Sequence, residues 1–174
     1  MRLRMKAALL GTAVLMSIPS SWAQSKRGPS TPEERRTAVN AARLLEADPF
    51  NKDAKKIREW FMLWLIQVPD ISIQVCGDYL GPVFGSHKNY EPELFGQLMF
   101  SGAAFAIEHS DQASDQLAVS LAGLEGALKT YESILKARPK ARSEFLDELI
   151  AKREDGALKA YVQEIAETKC KSKK

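Results

Sequence analysis

The chain has 174 residues, a length that suits a single domain. Its 25 basic and 22 acidic residues give a formal charge of +3, and Arg2, Arg4 and Lys6 account for the whole excess. Past residue 23 the two signs balance, which removes the usual electrostatic ground for nucleic-acid binding.

Residues 1–23 have the three parts of a secretory signal peptide. Arg2, Arg4 and Lys6 form a positive start, Ala7 to Ile18 carry no charge, and Pro19 ends the run. Ser20-Ser21-Trp22-Ala23 then sets small side chains where a signal peptidase needs them, so cleavage is expected before Gln24. The apolar run is shorter than the roughly 18 residues that a membrane-crossing helix requires. The residue directly after the expected cut is Gln24 and not a cysteine, which argues against a lipoprotein. A periplasmic or extracellular protein is therefore expected.

Residues 24–30, with Gly28 and Pro29, read as a flexible leader. Thr31, Pro32 and Glu34 then have the spacing of a capping box with proline in the first turn, predicting a helix to Ala47. Val39, Ala42 and Leu45 share one face of it, and Asp48-Pro49 stops it. A second helix is expected from a cap at Asn51 to Gln67, with Ile57, Phe61, Trp64 and Val68 facing inward. Trp60, Leu63 and Ile66 make the rest of this helix apolar as well, so burial on all sides is expected.

Ile71, Ile73 and Val75 alternate with Ser72 and Gln74 in the manner of a strand, but no second strand exists to pair with it. A short helix or an extended packed segment is expected instead, followed by a loop from Gly81 to Asn89. A small-residue helix follows from Glu91 to His109, then a long one from Gln112 to Ala137. In the latter, Leu117, Leu121, Leu124, Leu128, Tyr131 and Leu135 repeat in steps of four and three, the seam of helix-on-helix packing. Beyond Pro139, two shorter helices meet at Asp155-Gly156. The expected fold is all-α: a single-domain bundle of about six helices over residues 31–170, followed by a basic tail at 171–174.

Ala127-Leu128-Lys129-Thr130-Tyr131, running on to Pro139, resembles the second helix of a tetratricopeptide repeat. Leu44-Leu45-Glu46-Ala47-Asp48-Pro49-Phe50-Asn51 resembles the junction between two such repeats. The resemblance implies helical hairpins. The two prolines, at 49 and 139, do not stand a multiple of about 34 residues apart, so a regular array is not implied. The chain past residue 23 also resembles small exported bacterial helical proteins, which implies a compartment and no activity.

Cys76 and Cys170 both fall in the exported part, where an oxidising compartment favours a disulfide over two free thiols. Neither belongs to a C-x-x-C motif, so redox catalysis has no support. Nucleophile elbows, glycine-rich phosphate loops and H-E-x-x-H are missing, and no cofactor or catalytic residue is assigned. Glu108, His109 and Asp111 cluster at a helix end, although a histidine there is also favourable for electrostatic reasons alone.

Two features point towards binding. Trp60-Phe61-Met62-Leu63-Trp64 has the composition of an adaptable apolar pocket or partner surface, with a plain core segment as the alternative. Gly123 and Gly126 share one face of the long helix, and Gly102 lies within its neighbour. Each costs about 1 kcal/mol relative to alanine, so a second helix, or less simply a ligand, is expected to approach the backbone there. These observations favour a non-enzymatic exported module that binds a protein or itself. A carrier of an apolar small molecule between Trp64, Phe105 and Leu124 is the alternative, and an enzyme built on Glu108, His109 and Asp111 is the least supported reading.

Overall fold

The computed structural model describes residues 27–170. The expected signal peptide, residues 24–26 of the leader and the basic tail at 171–174 lie outside the described residues. Six α-helices follow one another: α1 (Pro32–Ala47), α2 (Ala54–Gln67), α3 (Glu91–Glu108), α4 (Gln116–Ala137), α5 (Glu144–Glu154) and α6 (Leu158–Thr168). A 3-10 segment spans Gly77–Val83 and a 3-10 turn spans Pro139–Ala141. The described residues contain no strand, and no helix among them is long and apolar enough to cross a membrane.

Local chemistry sets most of the boundaries. The Glu34 N–H donates to Thr31 Oγ1 at 3.2 Å while the Thr31 N–H donates to the Glu34 carboxylate at 2.8 Å, so the expected capping box forms. The chain is already anchored one residue earlier, because both the N–H and the hydroxyl of Ser30 donate to the Asp70 carboxylate. α2 begins later than expected: Asn51 Oδ1 accepts the Asp53 N–H and organises a turn, leaving Asp53 at the cap. α4 begins four residues late for a similar reason. The Asp115 carboxylate accepts the N–H groups of Leu117 and Ala118, and residues 110–114 are left as turns. Gly156 closes α5 at φ 72°.

The segment after α2 is extended and unpaired. Its polar groups find side chains in place of a neighbouring strand: Gln74 N–H donates to Gln116 Oε1, and the Gln74 amide donates to the Cys170 carbonyl. The 3-10 segment that follows is broken at Gly81, whose φ of 51° suits glycine.

The core has two parts, one on each side of α3. On one side, Leu94 and Leu98 pack with the buried faces of α4, α5, α6 and the 3-10 segment, including Leu124, Leu128, Tyr131, Leu146 and Val162. On the other, Met99, Phe100, Ala103 and Ala104 pack against Leu45 of α1, and Phe61 and Trp64 of α2. α3 and α4 make the most extensive helix contact. The Cys76–Cys170 disulfide, with Cα atoms 5.7 Å apart, ties the start of the 3-10 segment to the end of α6.

Candidate functional site: the outer face of the second helix

α2 has helical apolar spacing on two faces, and the fold covers one of them. On the inner face Phe61 is fully buried, its ring stacked on Phe100 at 4.3 Å, and the Trp64 ring meets Phe61 edge-on at 5.8 Å. On the outer face Trp60 is 36% exposed, Leu63 59% and Ile66 73%. The expected burial on all sides is therefore corrected. α1 and α3 reach α2 from the inside only, and nothing among the described residues covers the ridge formed by positions 60, 63 and 66. Trp60 stacks along its own helix on Trp64 at 5.9 Å, which holds the exposed indole on a packed support.

Two open grooves flank this ridge. The groove towards α1 has a volume near 500 Å³ and includes Ala41, Leu44, Lys56, Ile57 and Trp60 in its walls. The groove towards α3 is about 490 Å³ and includes Arg58, Met62, Leu63, Pro92, Gly96 and Phe100. Both are mostly apolar. The charged groups sit at the N-terminal end, where Lys52, Lys55 and Lys56 are exposed and Glu59 lies 3.9 Å from Lys55. Burial pushes the Arg58 guanidinium below its ordinary pKa against the attraction of Glu93, and its side chain donates to the Pro49 carbonyl at 2.7 Å. The buried Trp64 Nε1–H has no acceptor among the described residues.

The other residues singled out by sequence lie elsewhere. A Cβ on Gly123 would stand 2.5 Å from the Leu98 carbonyl oxygen, and one on Gly126 would collide with the Ser101 side chain. Helix approach thus explains both glycines, and no ligand is needed. Beside Gly126 lies a buried polar network that sequence reasoning missed. The Gln97 amide donates to the Ala42 carbonyl and to Ser101 Oγ, and the Ser101 hydroxyl donates to Glu46 at 2.7 Å. Its only sequence signal was a glutamate and a serine on otherwise apolar helix faces.

Phe105 is half-buried, its ring centroid 4.6 Å from that of His109, and it lines a separate groove with Leu117, Leu121 and Lys159. Trp64 and Leu124 are buried and line none of the grooves just described, so Trp64, Phe105 and Leu124 do not converge on a shared pocket. Glu108 is engaged by Arg43 at 2.8 Å, while His109 and Asp111 are exposed. Among the described residues no three His, Cys, Asp or Glu side chains are grouped to hold a metal ion. No protein-family model matches the chain, and neither the curated proteins nor the solved structures compared with it give a match.

Proposed function

We propose that this chain is an exported, non-enzymatic binding module that engages a protein surface, or a copy of itself, through Trp60, Leu63 and Ile66 on α2. The observation that carries the reading is the uncovered apolar ridge between two apolar grooves. The disulfide fits an oxidising compartment and so supports export. The carrier reading has less support, because its three wall residues do not meet and the grooves beside α2 are open. The enzyme reading gains none, since Glu108 is taken up by Arg43.

The test is native mass spectrometry of the exported chain, beside a Leu63→Asp, Ile66→Asp double variant. Both positions are exposed enough for aspartate to remain solvated, so folding measured by circular dichroism stays unchanged. The expected result is a protein complex or self-assembly that the variant loses. A bare monomer, or a complex indifferent to the variant, refutes the reading. A bound small molecule released on denaturation would move the assignment to the carrier.

A further inference from the structure

We propose that the outer face of α2 is the two-fold contact of a homodimer, with α2 antiparallel to α2 of a second copy and Leu63 beside the axis. The inference rests on the binding reading above and names its partner. Three independent features of the face support it: its shape, its area and its charge.

Trp60, Leu63 and Ile66 stand three residues apart and form one of the ridges by which helices interdigitate. A groove runs along each side of that ridge on the same molecule. A two-fold contact requires a patch that carries both a protrusion and the hollow that receives it, because the same surface appears on both partners. A face offering only a pocket, or only a bulge, would call for a different partner. This one carries both.

Leu44, Trp60, Leu63 and Ile66 are 39, 36, 59 and 73% exposed. With roughly 200 Å² for a large side chain, they present about 400 Å² of apolar surface. A standard interface takes about 800 Å² from each partner. The four side chains supply about half of that as an apolar centre, and the groove walls with Lys56, Glu59 and Gln67 form the rim.

Charge then sets the direction. The exposed lysines at 52, 55 and 56, offset only in part by Asp53 and Glu59, leave the N-terminal end of α2 positive, while its C-terminal end has Gln67 and the carbonyls of the last turn, with Asp70 beyond it paired to Arg35. A parallel pair would bring the two positive ends together. In an antiparallel pair with Leu63 beside the axis, the ridge of each copy enters a groove of the other, and each lysine group meets the C-terminal end of the opposite helix.

The experiment uses the purified chain without other proteins. Light scattering and sedimentation equilibrium across a dilution series are expected to show a dimer, and Leu63→Asp to weaken it at least a hundredfold. On mild oxidation, Leu63→Cys is expected to cross-link to itself, because the axis brings both copies of position 63 within disulfide reach of about 4–7 Å between Cα atoms. Lys52→Cys, far from the axis, is expected not to. Cross-linking by Lys52→Cys would mean a parallel pair and overturn the arrangement. A monomer at every concentration, with Leu63→Cys unlinked, overturns the dimer. If that monomer still loses a complex with another protein on Leu63→Asp, the face binds something else and the broader reading survives; loss of binding to phosphatidylglycerol vesicles alone would make the face a membrane contact and overturn both. If it loses nothing, both fall.

Discussion

Replacing Gly123 by alanine tests the close approach of α3 and α4, and replacing Gly96 supplies its control. At Gly123 the new methyl would lie 2.5 Å from the Leu98 carbonyl oxygen and 3.4 Å from its carbonyl carbon. An ordinary carbon-to-oxygen contact needs about 3.3 Å, so the axes must part by roughly 0.8 Å. Both surfaces are backbone, and no rotamer change relieves the overlap. α3 is also held from its far side by Phe61 and Leu45, which limits how far it can retreat. Overpacking of this kind costs about 3 kcal/mol at the upper end, and alanine returns about 1 kcal/mol of helix propensity. The expected net loss is therefore about 2 kcal/mol, or about 4–8 °C in Tm for a domain of this size. At Gly96, by contrast, a Cβ meets only the Phe100 ring at 3.5 and 3.8 Å, which is normal contact. There the propensity term stands alone, and Gly96→Ala is expected to stabilise by about 0.5–1 kcal/mol. Urea and thermal unfolding followed by circular dichroism, with tryptophan fluorescence as a second probe, measure both. A Gly123→Ala protein as stable as the parent would refute the reasoning.

Tyr131→Phe removes an oxygen that accepts the Ser143 N–H at 2.8 Å and donates to Asp147 at 2.9 Å. The buried amide is left without a partner, so a loss of about 1–3 kcal/mol is expected as a lower urea midpoint with unchanged slope. The disulfide spans 94 positions, and the chain-entropy account gives at most about 4–5 kcal/mol for such a loop. Cys76→Ser with Cys170→Ser should reproduce the stability of the reduced parent, and equal stability of the oxidised and reduced protein would contradict this. At Asp70, burial alone would raise the carboxyl pKa, but the hydrogen bonds from Ser30 and Arg35 outweigh it and hold the group at about 2, below its ordinary 3.8. Because folding lowers this pKa, the stabilisation is complete above pH 4 and is lost as pH falls towards 2. With some screening of a partly exposed group, Asp70→Asn should flatten the acid limb of the stability curve by on the order of 1–2 kcal/mol. A limb unchanged in Asp70→Asn would rule this out.

What could be read from the chain alone follows the range of the interaction responsible. The α1 start was legible because Thr31, Pro32 and Glu34 act on one another within one turn. Leu124, Leu128 and Tyr131 proved buried because a four-and-three repeat fixes one face of a helix wherever its partner lies. The start of α4 was misplaced because Asp115 competes with earlier polar residues for the cap, and sequence does not rank them. Residues 70–76 resisted a reading because the groups that satisfy Gln74 come from Gln116 and Cys170, distant in the chain. The outer face of α2 was obscured by its own composition. Apolar residues on both faces show that the helix wants cover all round, and only the placement of α1 and α3 shows which face goes without. Glu46 was invisible as a buried acid because its local partner Arg43 reads as half of an ordinary surface pair, while Ser101, which also donates to it, lies on another helix.

The disulfide also divides the molecule topologically. The ring that it closes, from Cys76 to Cys170, contains α3, α4, α5 and α6, while α1 and α2 lie outside it as an arm. Beyond the chain itself, the arm is held by non-covalent contacts: the apolar packing against α3, the contact of α1 with α4, the Gln97–Ala42 and Glu46–Ser101 bonds, and the Arg43–Glu108 ion pair. Elements joined to a fold by few ties open separately, and α2, which touches its neighbours far less than α1 touches α3 and α4, is such an element. Amide hydrogens in α2 are therefore expected to exchange through an opening that leaves the cyclic part intact and is indifferent to its redox state. That opening carries Trp60, Leu63 and Ile66 away together, so whatever seats on this face is expected to protect α2 from exchange, and the part of the protein outside the disulfide ring responds to binding first.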